Sequence, residues 1–204
     1  MIPKKIHQFW DGKPMPEPFL GWCKMWRQMH PGWEYKLWNI AAVEAVDPEM
    51  GEAMRTTNQH VSVVSDLARA SILTLEGGIY LDTDMEPFKA LDPIIELGLD
   101  AFCVLQGPQN ACAVMGTEKG HLWAELMRES AISYAFSAPP WAPTVYCDLA
   151  KQCGVTFLPT RWFYPYTYWE RDKKDDVFPD AYMAHRHAAS WTSPEAKPDI
   201  RKEK

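Results

Sequence analysis

The sequence lacks any long hydrophobic run. No stretch of its 204 residues approaches the roughly 18 consecutive apolar residues that predict a membrane-spanning helix. The N-terminus carries Lys4 and Lys5 but no apolar segment behind them, as a secretory signal would require. We therefore expect a soluble, cytoplasmic protein without an integral membrane segment. Peripheral membrane contact through the basic C-terminal end is left open.

Positive charge is scarce as well. The chain has 21 Lys and Arg against 27 Asp and Glu, a net charge of −6. Because nucleic-acid binding needs a concentrated basic surface, we expect no nucleic-acid partner. The cysteines are odd in number and form no Cys-x-x-Cys pair, which favours a reducing compartment over a disulfide framework or a zinc site. They are Cys23, Cys103, Cys112, Cys147 and Cys153.

Strand and helix patterns alternate along the chain, which is typical of an α/β domain. Strands are predicted over Ile2–Trp10, Trp33–Trp38, Ile79–Leu81, Ala101–Leu105, Ala111–Met115 and near Val155–Leu158. Helices are predicted over Pro16–Met29, Ala41–Ala45, Val61–Glu76 and His121–Tyr134, with irregular structure beyond Ser137. We expect a single Rossmann-like domain over residues 1–195, with a mixed, mainly parallel sheet flanked by helices. Residues 196–204 are predicted to be a basic, flexible tail.

Two carboxylates follow the short apolar strand that ends at Leu81. If the segment stays extended, Asp82 and Asp84 point in the same direction, because alternate strand residues share a face. Ligands of open α/β sheets bind at such strand ends. Paired carboxylates there repel unless a cation or hydroxyl groups hold them, and their hard oxygens suit Mg²⁺ or Mn²⁺, which can bridge a diphosphate. Alone, the Asp-x-Asp pattern is weak, since the chain has 27 acidic residues.

The helix predicted before this strand carries two opposite charges on an otherwise apolar stretch. Asp66 and Arg69 are three residues apart, so they share a face and can pair. An unpaired charge in that position would be costly. Two interpretations remain: a buried ion pair that fixes the helix, or a pair that points into a cleft and bonds sugar hydroxyls.

Together these residues resemble glycosyltransferase family 32. The sequence Ser65-Asp66-x-x-Arg69 followed by Gly77-Gly78-Ile79-Tyr80-Leu81-Asp82-Thr83-Asp84 looks like the core of its sugar-transferase region, which contains the Asp-x-Asp motif. The opening Ile2–Trp10 resembles the family's first strand, and Ala184–Trp191 its C-terminal His…Ser-Trp block. The family includes yeast-type α-mannosyltransferases and bacterial capsule enzymes, and the same core is similar to that of glucosylating clostridial toxins.

The resemblance implies a GT-A fold and a retaining, metal-dependent transfer of a hexose from a nucleotide-sugar to a glycan or other hydroxyl acceptor. The implied cofactor is Mn²⁺ or Mg²⁺, with Asp84 and His185 as ligands; His187, where the family often has an aromatic residue, is the substitute. The implied catalytic residues are Asp66, Arg69, Asp82 and Asp84. The implied nucleotide-sugar contacts are Trp10, Ser65, Asp66, Arg69, Tyr80, Asp82, Thr83, Asn110, Ser190 and Trp191.

The roles differ among these residues. Trp10 would stack on the nucleobase, Asp66 and Arg69 would hold the donor sugar, and Asp82 would contact ribose or sugar hydroxyls. For Trp10 and Trp191, plain core packing is the alternative. The toxin similarity favours a UDP-sugar, our choice, whereas the yeast-type relatives favour GDP-mannose. A non-catalytic nucleotide-sugar or carbohydrate-binding module is the main alternative function, and a metal-dependent hydrolase or phosphotransferase is the third.

Overall fold

The computed structural model of the chain describes residues 1–11, 14–57, 61–106, 112–136 and 142–188. Strands β1 to β8 span Lys5–Phe9, Glu34–Trp38, Gly78–Leu81, Met85–Pro87, Ala101–Val104, Val114–Thr117, Thr156–Leu158 and Met183–His185. Helices α1 to α7 span Phe19–Met29, Ile40–Glu44, Pro48–Thr56, Val61–Glu76, Asp92–Ile95, Leu122–Ala135 and Ala142–Gln152. Two 3-10 helices cover Thr160–Trp162 and Tyr168–Asp175.

The central sheet has the strand order β2-β1-β3-β6-β5-β7. Strand β1 is parallel to both β2 and β3, and β5 is parallel to β7. Strand β6 runs antiparallel between β3 and β5. The predicted α/β fold with a mixed, mainly parallel sheet is therefore confirmed. Strands β4 and β8 form a separate antiparallel ribbon, which the sequence analysis did not predict.

Successive residues of the central strands face two different hydrophobic clusters, as the pleat of a strand requires. In β3, Tyr80 faces the cluster built with α3, α4, α6 and α7, whereas Ile79 and Leu81 face the opposite cluster. That second cluster contains Trp26 of α1 and Phe163, which follows the first 3-10 helix. Helical layers on both faces thus bury the sheet and fix the ends of its strands.

Helix α4 lies in the first cluster and leads directly into β3. Its bounds, Val61–Glu76, are those predicted from its wide apolar arc. Gly77 and Gly78 then take positive φ angles of 63° and 99°, a conformation that glycine adopts without steric cost. A Cβ at Gly77 would lie 2.6 Å from the backbone nitrogen of Lys119. The sharp connection therefore requires glycine, and it sets where β3 ends.

Helices α3, α5 and α7 were not predicted from the sequence. Helix α7 occupies residues that we expected to be irregular. Pro143 is its second residue, and a proline in the first turn of a helix is tolerated because it removes no helical hydrogen bond. Helix α3 was missed although Asp47 caps it by accepting a hydrogen bond from the amide of Met50. The strand predicted over Ala111–Met115 instead runs over Val114–Thr117, and Ala111 lies outside the described residues.

Within the described ranges, no helix is long and apolar enough to cross a bilayer. All five cysteines are free thiols.

Candidate active site

The Asp-x-Asp segment forms a turn. Beyond the end of β3, the amide of Met85 donates to the carbonyl of Asp82 at 3.1 Å, which closes a turn around Thr83 and Asp84. The segment is therefore a turn and not an extended strand, so strand alternation is not what aligns Asp82 and Asp84. The turn itself brings their carboxylates close together, and Gln8 of the neighbouring β1 holds the Asp82 carbonyl at 3.1 Å.

His185 joins the two aspartates from the far end of the chain. It is the last residue of β8, and the β4–β8 ribbon pairs it with Met85. Its Nε2 lies 3.2 Å from Oδ1 of Asp84. One ligand atom each of Asp82, Asp84 and His185 lies within 4.8 Å of the others. Two carboxylates and an imidazole at this spacing can hold a divalent cation.

Asp84 and His185 stabilise each other's charged forms. Burial alone would raise the pKa of Asp84, but the His185 imidazole and the Ala188 amide outweigh burial and lower it. Burial alone would lower the pKa of His185, but the Asp84 carboxylate raises it. For Asp82, burial prevails over the attraction of Arg69, and its pKa is raised. The site therefore holds Asp84 as an ionised carboxylate.

The donor set fits a metal ion on a second ground. The Nδ1 atom of His185 is buried and has no hydrogen-bond partner among the described residues. The imidazole of His185 thus lies beside Asp84 through Nε2 and has a second nitrogen that no described protein group engages. Such a mixed oxygen and nitrogen set favours Mn²⁺ over Mg²⁺, which prefers oxygen ligands and retained waters.

His187 has different surroundings. Its Nε2 lies 3.0 Å from Nε2 of Gln106, within hydrogen-bonding distance, and its ring meets the edges of Tyr166 and Tyr168 at about 6 Å between centroids. Burial lowers its pKa to about 3, and the nearby His185 adds to that shift. His187 is therefore a neutral, packed histidine, and His185 is the one that faces Asp84.

Arg69 connects helix α4 to the aspartates. Only 3% of its side chain is exposed, and its Nη2 lies 2.9 Å from Oδ1 of Asp82 and 3.3 Å from Oδ1 of Asp66. Its Nη1 donates to the carbonyl of Cys112 and lies 2.7 Å from the Cys112 thiol. The guanidinium of Arg69 thus holds the carboxylate of Asp82 in place from the side of helix α4. The ion pair is buried, as the first interpretation expects, and a contact with sugar hydroxyls stays a prediction.

Asp66 keeps some contact with solvent. Its side chain is 13% exposed, and the Cys112 thiol lies 3.5 Å from its Oδ1. Burial raises its pKa to about 6, despite the opposing attraction of Arg69. A carboxylate so placed can bond a sugar hydroxyl, while Arg69 balances part of its charge.

The other predicted contacts lie around this core. Tyr80 is 1% exposed, and the Arg69 guanidinium carbon lies 4.9 Å from its ring centroid. Ser65 donates to the carbonyl of Ser62 at 2.7 Å, and Thr83 is buried in the turn. Trp10 is half-buried and its ring lies 5.9 Å from that of Phe19. The remaining predicted contacts, Asn110, Ser190 and Trp191, lie outside the described residues.

Sequence reasoning missed two groups that shape the site. Gln8 holds the Asp82 backbone carbonyl. Gln8 lies inside the opening motif Ile2–Trp10, and that motif could have identified it. Cys112 holds Arg69 through its carbonyl and thiol, and no sequence pattern marked it.

Beside Arg186, an open depression of about 290 Å³ is lined by charged side chains and an indole: Trp22, Glu86, Arg171, Lys174 and Asp175.

The fold and the position of the Asp-x-Asp segment resemble those of GT-A glycosyltransferases. Residues 16–97 match the family described as the glycosyltransferase sugar-binding region containing the DXD motif. This match lies in the same part of the chain as the Asp-x-Asp motif, and the resemblance inferred from the motifs is confirmed.

Relatives and solved structures agree with this class. The chain is 31% identical over 166 residues to inositol phosphoceramide mannosyltransferase 3 of Schizosaccharomyces pombe, a match that covers 79% of this chain and 45% of the relative. The chain thus spans about half the length of that relative.

Two solved structures share the fold. The PaToxG glycosyltransferase superposes with a TM-score of 0.55 at 17% identity, over 74% of this chain and 68% of that one. The galactosyltransferase LgtC superposes with a TM-score of 0.52 at 13% identity, over 97% of this chain and 91% of that one.

Proposed function

We propose that this domain transfers a hexose from a nucleotide-diphosphate sugar to a hydroxyl acceptor, with a divalent metal at Asp82, Asp84 and His185. The observation that supports this most strongly is the convergence of these three ligand groups within 4.8 Å at the carboxyl end of β3. A metal there would neutralise the diphosphate leaving group as a Lewis acid. We propose Mn²⁺ as that metal because of the imidazole nitrogen.

The chain's own residues would orient the donor. Asp66 would accept hydrogen bonds from donor hydroxyls, and Arg69 would keep the Asp82 carboxylate in place. Asp82, with 21% of its side chain exposed, would reach ribose or sugar hydroxyls. We propose retention of anomeric configuration, with the acceptor oxygen attacking from the leaving-group side and its proton passing to the diphosphate, so that no protein general base is required.

We propose mannose as the transferred sugar. The Schizosaccharomyces pombe relative is named a mannosyltransferase, and this supports GDP-mannose over the UDP-sugar that we favoured from the motifs. The acceptor class proposed is a glycan or another hydroxyl compound. The name of that relative makes inositol phosphoceramide the first acceptor to test. The chain spans about half of that relative, so this acceptor stays a proposal. A cytoplasmic location also stays a prediction.

The test is a direct assay of donor turnover. Purified protein would be incubated with GDP-mannose or UDP-hexoses, with Mn²⁺ or with excess chelator, and nucleoside diphosphate release and the anomeric configuration of the product would be measured. The proposal expects metal-dependent release with one donor and a retained configuration. Binding of a nucleotide-sugar without any turnover would instead favour the non-catalytic module, and turnover undiminished by chelator would refute the metal requirement.

A further inference from the structure

Tyr164 carries a buried hydroxyl that the site described so far does not use. The residue is 3% exposed, and its hydroxyl has no hydrogen-bond partner among the described residues. Burying a hydroxyl without a partner costs free energy, so each such group in a native fold calls for an explanation. The second buried atom in the same condition is Nδ1 of His185. The two rings are neighbours, with centroids 5.8 Å apart.

The backbone holds Tyr164 firmly in place. Its amide donates to the carbonyl of Thr160 at 2.8 Å, and the Thr160 hydroxyl donates to the carbonyl of Leu105 at 2.7 Å. This anchors the residue to the carboxyl end of β5. Its ring packs beside the ring of His185, so Tyr164 borders the cluster of Asp82, Asp84 and His185.

We propose that the Tyr164 hydroxyl donates a hydrogen bond to a diphosphate oxygen of the bound nucleotide-sugar. The inference rests on the proposed function, because it assumes that a diphosphate lies beside Asp84 and His185. A preorganised donor aimed at an oxygen that gains negative charge stabilises a leaving group. Burial keeps the phenol protonated at neutral pH by raising its pKa, so the group remains a donor. The bound diphosphate would supply the partner that the hydroxyl lacks within the protein.

Tyr166 offers a matched control two residues further on. It is also buried, at 2% exposure, but its hydroxyl accepts a hydrogen bond from Nη1 of Arg186 at 3.0 Å. Tyr164→Phe and Tyr166→Phe remove the same atom from the same residue type. Among the residues that the structure describes, only the second removes a hydrogen bond.

The experiment compares thermal unfolding without ligand and calorimetric binding of GDP, UDP, GMP and UMP in the presence of Mn²⁺. For Tyr164→Phe we expect an unfolding temperature equal to or above that of the unsubstituted protein, since no internal bond is lost. We expect its affinity for the nucleoside diphosphate to fall about tenfold, as for the loss of a hydrogen bond to a charged group. Affinity for the monophosphate should not change. Tyr166→Phe should show a lower unfolding temperature and unchanged nucleotide affinity.

Other outcomes would overturn the inference. A lower unfolding temperature for Tyr164→Phe would show that the hydroxyl has a structural partner. Unchanged diphosphate affinity, or an equal loss for the monophosphate, would show that it does not contact the diphosphate. If the unsubstituted protein bound neither GDP nor UDP, the donor part of the proposed function would fail together with this inference. Binding that is insensitive to Tyr164→Phe would overturn this inference alone.

Discussion

The Nε2 atom of His185 lies 3.2 Å from Oδ1 of Asp84, although the two residues belong to opposite halves of the chain. The amide of Arg186 donates to the Asp84 carbonyl at 2.9 Å, and the amide of Ala188 donates to its Oδ2 at 3.0 Å. The chain segment after β8 therefore wraps around this one aspartate. Its carboxylate is positioned before any ligand arrives.

Asp84→Asn should remove the metal response of the protein. The amide keeps the size of the side chain but lacks the charge that attracts a cation, so Mn²⁺ should no longer raise the unfolding temperature. Transfer should fall by about 100-fold or more, since Lewis-acid assistance is lost. Asp148→Asn, on an exposed aspartate paired with Lys151, is the control and should behave as the unsubstituted protein. Normal turnover by Asp84→Asn would show that Asp84 is not a ligand.

The two histidines should separate in their effects. His185→Gln should abolish the stabilisation by Mn²⁺, because the imidazole beside Asp84 is removed. His187→Gln should preserve the Mn²⁺ response while it lowers the unfolding temperature, because His187 packs between Tyr166 and Tyr168. Thermal unfolding with and without Mn²⁺ measures both. The reverse pattern would identify His187 as the ligand instead.

Arg69 should be required for stability as well as for activity. Arg69→Met leaves the carboxylates of Asp66 and Asp82 without their shared partner, and breaking a buried pair in this way costs about 3–5 kcal/mol. Arg69→Lys should also be destabilised, because an ammonium cannot replace a guanidinium that bonds two carboxylates and a carbonyl at once. Urea unfolding measures both changes.

Arg55 provides the control for that experiment. It pairs with Glu44 at the surface, where 49% and 39% of the two side chains are exposed. Exposed pairs add little to stability, so Arg55→Met should unfold close to the unsubstituted protein. A loss equal to that of Arg69→Met would argue against a special role for the buried network.

His7 should make the fold sensitive to acid. Its Nε2 lies 2.8 Å from the carbonyl of Gly77, and its Nδ1 accepts from the indole of Trp38 at 3.1 Å. These partners suit the neutral ring, and burial lowers its pKa from 6.5 to about 4. Between those pH values the unfolded chain binds a proton that the folded chain does not. Stability from this group is thus present above pH 6.5 and declines as pH falls.

The expected decline at His7 is at most about 3 kcal/mol. Urea unfolding of the unsubstituted protein and of His7→Gln measures this loss of stability. The measurements are made at about pH 7.5 and about pH 4.5, on either side of the pKa of an ordinary histidine. The variant should lose less stability on acidification than the unsubstituted protein. Equal losses would show that His7 is not the responsible group.

Gly77 and Gly154 test the connection between α4 and β3. Both take similar positive φ angles, 63° and 67°, but only Gly77 is crowded, since a Cβ at Gly154 would meet nothing within 4 Å. Gly154→Ala should cost about 1–2 kcal/mol from backbone strain alone. Gly77→Ala should cost clearly more, because its Cβ would contact the Lys119 backbone. Equal costs in chemical unfolding would contradict this reading of the turn.

Much of the fold was predictable because it depends on local patterns. The apolar arc of α4 and the glycines after it gave the helix its observed bounds, Val61–Glu76. Asn39 caps α2 by accepting a hydrogen bond from the amide of Ala42, the local role that asparagine commonly takes before a helix. The β4–β8 ribbon was missed because each of its strands has only three residues, too few for a period to appear.

The site was predictable only as a set of candidates. The motifs marked Asp84 and His185, but their distance depends on a ribbon that joins distant parts of the chain. Arg69 could be paired with Asp66 from its spacing, whereas its bonds to Asp82 and Cys112 come from tertiary packing. The turn that replaces the expected extended segment follows from a backbone hydrogen bond, which side-chain patterns do not reveal.

The pairing of β4 with β8 has a consequence for how the site is completed during synthesis. Asp82 and Asp84 emerge from the ribosome with the first half of the chain. His185 and the amides of Arg186 and Ala188, which donate to Asp84, emerge near the end of the described sequence. The region that identifies the family, residues 16–97, therefore lacks one of the three ligand groups. Under the proposed function, a nascent chain that stops before Met183 would carry the Asp-x-Asp motif without His185, so metal binding would require synthesis through β8.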